Sequence, residues 1–362
     1  LRIRTVLGRW SAMIQVITPA PREEWRAALA GDAAALPEHA PEWVDALCAD
    51  GRFADASRYY VHEDGRTFVL PLVARRGLLG HGGWLQGFPP SWGIGGLVGV
   101  GADGDVLRTV IDDLRRTRHQ RIALRPDPTR WSAWSEAITA TDPDGRSVLT
   151  LPRRAHVIDL SRGAEHAFSQ FSKSARRGTR AAERAGVRVE IDRTGGLLAD
   201  YYRLYLLSVD RWAERQHEPR TLARFRAGRR DPLSKLQAMA DHLGKAFVVT
   251  LAYVDDRPAF GSITLLGQTA HDTRAAMDRD LVDGTYAGDL VQWRTVQLAC
   301  ELGCAAYHLG ESGQSASLAQ FKEKFGARPV DYGELRIERL PWTRVDLWSR
   351  SVVKRLVGFR DA

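Results

Sequence analysis

The sequence predicts an α+β chain, a mixed sheet flanked by helices, laid down twice. Three observations predict it. Stretches of apolar alternation and of helical periodicity interleave as helices, then a hairpin, then strand–helix–strand. A similar order runs through both halves of the chain. Its 362 residues, 44% hydrophobic and 27% charged, are long for one core and ordinary for two soluble globular domains.

In the first half, Ile14–Ile17 reads as a strand. Pro21–Leu29 and Pro41–Asp50 read as helices, the second with Trp43 and Leu47 at i, i+4. Arg58–His62 and Thr67–Ala74 form a hairpin about the turn Glu63-Asp64-Gly65-Arg66. A Gly-rich segment, Gly77–Gly101, follows, with Trp84, Phe88, Pro89, Pro90 and Trp92; then come a helix, Val106–Arg118, and a strand, Arg121–Leu124. In the second half, His156–Leu160 is a strand, Ala164–Ala185 helical, Val187–Ile191 a strand, and Leu197–Glu214 and Pro232–Leu243 helices. Ala246–Tyr253 and Ala259–Leu266 form a hairpin about Asp255-Asp256-Arg257-Pro258, and Ala270–Asp278 adds a strand. Helix Ala287–Leu302, strand Ala305–Leu309, helix Leu318–Phe325 and strand Val330–Glu338 complete it. The expected domains are 13–155 and 156–340. A basic amphipathic tail helix over 341–362 aligns Val345, Trp348, Val352, Leu356 and Phe359.

A net charge of +8 and a pI near 9.6 point to a polyanionic partner such as RNA, or to a phosphate-bearing substrate. Three cysteines, Cys48, Cys300 and Cys304, give no disulfide framework and fit a reducing cytoplasm. No apolar run has the length of a membrane span, and no signal peptide or metal-ligand spacing is visible. The chain starts with Leu: either it is cut from a longer protein, or Met13 is the natural start.

Lysine is scarce. Of 52 basic residues six are Lys, and two of these stand in Phe321-Lys322-Glu323-Lys324-Phe325. An arginine-rich chain keeps lysine where a compact ammonium is needed, which singles out Lys322 or Lys324. Phe321 and Phe325, at i, i+4, anchor their helix. Lys173, Arg177, Arg180 and Arg184 recur at helical steps as a basic ridge, Arg176 adds to it, and Glu183 is the one acid nearby. A solvated face and a phosphate- or RNA-binding face are both open readings of this ridge. The stretch Asp283–Asp289, with Gly284 and Gly288, is either a phosphate-holding helix start or an N-capped turn. The loop Gly310–Ser315 stands at a strand end, a usual place for a site. Gly77–Gly101 is either a lip binding an acceptor through Trp84 and Trp92 or an irregular edge over the core.

Four pieces, in order, resemble the FemABX-like members of the GNAT acyltransferase superfamily over roughly 164–338. They are Ser172-Lys173-Ser174-Ala175-Arg176-Arg177-Gly178-Thr179-Arg180-Ala181-Ala182 before Gly186-Val187; Tyr202-Arg203-Leu204-Tyr205 with Arg211-Trp212; His271-Asp272-Thr273-Arg274-Ala275-Ala276-Met277-Asp278 leading to Tyr286; and Tyr307-His308-Leu309-Gly310 followed by Phe321-Lys322-Glu323-Lys324-Phe325-Gly326-Ala327. The resemblance implies two GNAT-like domains and transfer of an acyl or aminoacyl group to an amine. Lys322 matches the lysine of the family's Phe/Tyr-Lys motif and is expected to be catalytic. Asp278 and Glu311 are candidate bases and Tyr286 a candidate acid. Lys173, Arg176, Arg177, Arg180, Arg184, Lys324, Gly284 and Gly288 are the expected donor contacts. The Arg/Gln-x-x-Gly-x-Gly/Ala pattern of CoA-dependent members is not found near Ala287. Together with the ridge, this favours a charged tRNA as co-substrate with no other cofactor, in cell-wall or peptide-antibiotic assembly. An acyl-CoA-dependent N-acyltransferase acting on an amino sugar or polysaccharide precursor is the alternative.

Overall fold

A computed structural model of the chain describes residues 2–7, 13–75, 83–145, 147–313 and 315–341, with 343, 345, 346 and 348 beyond. The chain divides into two compact units, 1–154 with 330–343, and 155–329 with 344–362. The segment 330–340, expected in the second domain, thus belongs to the first unit. Most of the expected tail helix, with Val352, Leu356 and Phe359, lies outside the described residues, as do 76–82 of the Gly-rich segment and Gln314.

The first unit opens with strands β1 (Arg2–Leu7) and β2 (Met13–Thr18), paired antiparallel. Helices α1 (Arg22–Gly31) and α2 (Pro41–Cys48) follow, then β3 (Ala54–Asp55), β4 (Arg58–His62), β5 (Thr67–Leu70), β6 (Val73–Arg75) and β7 (Trp84–Gln86). The expected second hairpin strand is therefore two strands. β5 pairs with β4, whereas β6 pairs with β3 and β7. Helix α3 (Gly104–Arg115), strand β8 (Arg121–Leu124) and helix α4 (Trp131–Thr141), the last not anticipated, precede strand β9 (Val148–Asp159). The core packs Tyr60, Phe68, Leu70, Val110, Leu114, Leu124 and Trp134.

The second unit contains α5 (Ala164–Gln170), α6 (Lys173–Arg184), β10 (Arg188–Asp192), α7 (Leu198–Arg215), α8 (Arg220–Arg230) and α9 (Leu233–Leu243). The expected single helix over 164–185 breaks at Phe171, whose ψ of 143° is extended, and Ser172 then caps α6 by accepting from Ala175 N at 3.1 Å. Strands β11 (Phe247–Val254), β12 (Arg257–Leu266) and β13 (Ala270–Met277), short helix α10 (Arg279–Val282), helix α11 (Ala287–Glu301), strand β14 (Ala306–Glu311) and helix α12 (Ala316–Glu323) follow. Strand β15 (Arg328–Glu338) then pairs antiparallel with β8 in the first unit. The sheet of the second unit runs β10-β11-β12-β13-β14-β9, antiparallel except for β13 against β14. Its core packs Phe171, Val248, Val296, Tyr307 and Phe325. Phe325 is fully buried and meets Phe171 and Phe321 edge-on, so both phenylalanines of the lysine motif serve packing. Among the described residues, no helix is long and apolar enough to cross a membrane.

Candidate active site

The parallel pair β13/β14 is in register at only Ala270↔Tyr307 and His271↔His308. Beyond those residues β13 runs to Met277 and β14 to Glu311 without pairing with each other, and the register of β14 with β9 shifts between His308 and Glu311. Gly310 sits at that irregularity with φ of 70°, a conformation a side chain resists. A Cβ there would stand 3.4 Å from Asp272 O, 3.6 Å from His271 Nε2 and 3.8 Å from Lys322 Nζ, so the missing side chain leaves a small hollow beside the ammonium. Parting strands thus open a niche for Lys322, which reaches in from α12.

Lys322 is 8% exposed and its Nζ donates to Glu311 O at 2.7 Å. Burial pulls its pKa down to about 8, against the raising influence of Asp272 and Glu311. Asp272 is partly buried, and its Oδ1 is shielded from solvent with no hydrogen-bond partner. Burial pushes this carboxyl up to about 7, opposed by Lys322 and His271. The imidazoles of His271 and His308 stand edge to face, 6.1 Å apart. On the linkage signs, folded Asp272 holds its proton to higher pH than the unfolded residue does, so its contribution to stability is lost as pH rises toward about 7. Folded Lys322 gives up its proton first, so its contribution returns as pH climbs above about 8.

Asp272→Asn removes the carboxylate that favours the charged ammonium and should lower the Lys322 pKa further. With six lysines in the chain, a 15N or 13C NMR titration of the lysine side chains can follow it. A midpoint equal to or above that of the unsubstituted protein would refute this account of the pair.

The other anticipated residues are dispersed. Glu311 lies in the niche, but its described contribution is its carbonyl. Asp278 caps α10, accepting from Asp280 N at 3.1 Å, with Arg257 3.8 Å away. Six residues of extended strand separate it from Asp272, about 20 Å, so it does not join Lys322. Tyr286 opens α11 in the left-handed region, half exposed, with its ring against Gly178. Gly284 has φ of 74°, and Gly288 faces the Phe260 ring, where a Cβ would stand 3.1 Å away. Lys324 does not offer a free charge to a phosphate. Its Nζ pairs with Asp289 Oδ1 at 2.6 Å and lies 4.7 and 4.8 Å from the Phe321 and Phe325 ring centres. In the first unit, Trp92 is a core residue, 7% exposed and edge-on to Trp43, while Trp84 is partly exposed under the Arg121 guanidinium.

The ridge on α6 forms as expected. Lys173, Arg176, Arg177, Arg180 and Arg184 line a shallow groove of about 310 Å3 with no acid among its lining residues. Glu183 is engaged elsewhere, 3.2 Å from Arg294 of α11. Arg176 is partly committed to structure, donating to Ser169 O and Phe171 O at 2.6 and 2.7 Å, and thereby tying off the end of α5. Lys173, Arg177, Arg180 and Arg184 are exposed.

Comparison with known proteins agrees with this architecture. Residues 169–323 match the family model described as an Acetyltransferase (GNAT) domain. No curated protein sequence matches the chain. Among solved structures, FemX superposes with a TM-score of 0.67 at 12% identity, covering 91% of this chain and 99% of FemX. Residues 169–323 thus form a GNAT-type acetyltransferase domain, and the chain has the fold of FemX. This FemABX-like fold also resembles a conserved protein of unknown function from Bacteroides thetaiotaomicron, with TM-score 0.55, 10% identity, and 88% and 98% of the two chains covered. The C-terminal domain of a putative lysylphosphatidylglycerol synthetase from Agrobacterium fabrum follows, with TM-score 0.50, 14% identity, and 91% and 95% covered.

Asp272 was not singled out from the sequence, although it stands in a quoted motif. The available signal was an acid directly after His271 within the strand that carries the quoted motif. A second buried charge cluster was likewise missed. Asp231 accepts from Lys235 Nζ at 2.7 Å and from Arg274 Nη2 at 2.8 Å, and burial with the Arg274 charge draws Lys235 down to about 7. It fastens the start of α9 to β13 from the side opposite the lysine motif in sequence.

Proposed function

We propose that this acyltransferase moves an aminoacyl group from a charged tRNA to an amine, forming an amide on a cell-wall precursor or a peptide natural-product intermediate. The observation that carries the reading is the groove of five cations along α6, within the same unit as Lys322. A row of cations spaced along one helix suits the extended phosphate backbone of a nucleic acid. The alternative phosphate site, at the start of α11, offers no unpaired cation: Lys324, the basic residue at its first turn, is taken up by Asp289.

In the reaction, the acceptor amine attacks the ester carbonyl. The C–N bond forms and the carbonyl oxygen becomes an oxyanion. One of the three Lys322 ammonium hydrogens is held by Glu311 O, leaving two for that oxygen in the hollow over Gly310. The attacking nitrogen gives up a proton, the C–O bond to the ribose breaks, and the ribose oxygen takes up that proton. Donor loss decides between the readings. Incubated with pooled charged tRNAs or with acetyl-CoA, together with a panel of peptide and amino-sugar amines, the protein should give a product abolished by prior RNase treatment of the donor. CoA release would instead establish the acyl-CoA reaction.

A further inference from the structure

We propose that Ser312, His156 and Glu323 form a proton relay that serves the attacking amine, an inference that rests on the amide-forming reading of the Lys322 niche. His156, on β9 within the second unit, is fully buried, and its Nε2 lies 3.0 Å from Ser312 Oγ. Its Nδ1 faces Glu323 Oε1 at 4.0 Å, and the Glu323 side chain is 44% exposed. A hydroxyl, an imidazole and a carboxylate therefore follow one another. An imidazole that meets a hydroxyl at one nitrogen and has a carboxylate within electrostatic reach of the other can take the hydroxyl's proton. Both ends of the relay adjoin the Lys322 contact. Ser312 follows Glu311, whose carbonyl holds Lys322 Nζ at 2.7 Å, and Glu323 follows Lys322 on α12. No part of the oxyanion chemistry uses these three side chains.

The relay runs with the His156 proton on Nδ1, toward Glu323, leaving Nε2 to accept. As the amine nitrogen bonds to the carbonyl carbon, its N–H bond breaks. Ser312 Oγ takes that proton and gives its own to His156 Nε2. The Glu323 carboxylate stabilises the imidazolium. When the C–O bond of the donor breaks, the proton returns through Ser312 to the leaving oxygen, and each group ends as it began. Ser312 touches the substrate and is the catalytic member; His156 and Glu323 act through it.

A purely structural role would have the same hydrogen bond only tie the 310–315 loop to β9. His156→Gln separates the two, because an amide hydrogen-bonds the Ser312 hydroxyl yet cannot take its proton. With pooled charged tRNAs and the amine panel, the relay predicts that His156→Gln lowers kcat about 100-fold with KM changed less than about threefold. Ser312→Ala should lose as much, and the double variant no more than either, since the groups act as a unit. Thermal melts identify a variant that fails to fold, and Ser312→Ala, a small change at a loop position, keeps the test open in that event. Full kcat in His156→Gln or Ser312→Ala, or additive losses in the double variant, overturns the relay while leaving the amide-forming reading in place. A wild-type protein that transfers from neither charged tRNA nor acetyl-CoA overturns both.

Discussion

Lys322→Met should lower kcat by 100- to 1000-fold while leaving the fold intact. Removing one preorganised donor from an oxyanion site commonly costs about 3–4 kcal/mol of transition-state stabilisation, which corresponds to that range. Methionine keeps most of the buried volume of the lysine stem, so α12 should stay docked. A buried lysine drawn down to about 8 is a burden on stability at neutral pH, so its loss is not expected to lower the melting temperature much. Lys322→Arg should fail to restore the rate. The niche above Gly310 admits a compact ammonium, and a planar guanidinium would meet Asp272 O and His271 Nε2, which already stand within 3.6 Å of where a Cβ would be. Single-turnover rates with saturating donor measure the effect directly. A Lys322→Met protein that turns over at the wild-type rate ends the catalytic role of this lysine.

The second large effect concerns the ridge. Arg177→Ala, Arg180→Ala and Arg184→Ala combined should weaken charged-tRNA binding about 100-fold near 0.1 M salt. The slope of log K against log salt should become shallower by about two to three, roughly one counterion per lost phosphate contact. All three side chains are exposed, and the triple variant should melt close to the wild-type temperature. Filter binding or fluorescence anisotropy across a salt series reads both quantities. Unchanged affinity with an unchanged slope would make the ridge a solvated face and return the donor question to acyl-CoA.

What the sequence disclosed depends on how local each feature is. The basic ridge needs only helical periodicity over twelve residues, and Lys322 was exposed by the rarity of lysine around it. Most strands and helices likewise followed from local apolar patterns. Asp272 is different. It becomes a partner of Lys322 only because β13 and β14 pair in parallel for two residues and then part, a register set by the whole sheet and by the helix between them. The same logic misplaced Asp278 and Tyr286, which follow Asp272 closely in sequence but are carried along β13 and beyond it. Lys324, two residues from Lys322, was read as a phosphate contact because the sequence does not show that Asp289 of α11 neutralises it. Trp92 looked like a binding aromatic in a Gly-rich segment until Trp43, 49 positions earlier, supplied its packing partner.

Lys324 has one further consequence. Its backbone carbonyl accepts from Ser172 N, the capping residue of α6, at 2.7 Å, while its ammonium grips the first turn of α11. The helix that carries the arginines is therefore tethered at its root to the residue two places beyond Lys322. The cap of α6 and the ammonium of Lys322 are thus held by the same short span of chain. A donor stripped to its terminal nucleoside would lose its contacts along α6, and a loss of remote binding energy of this kind appears in turnover as well as in affinity.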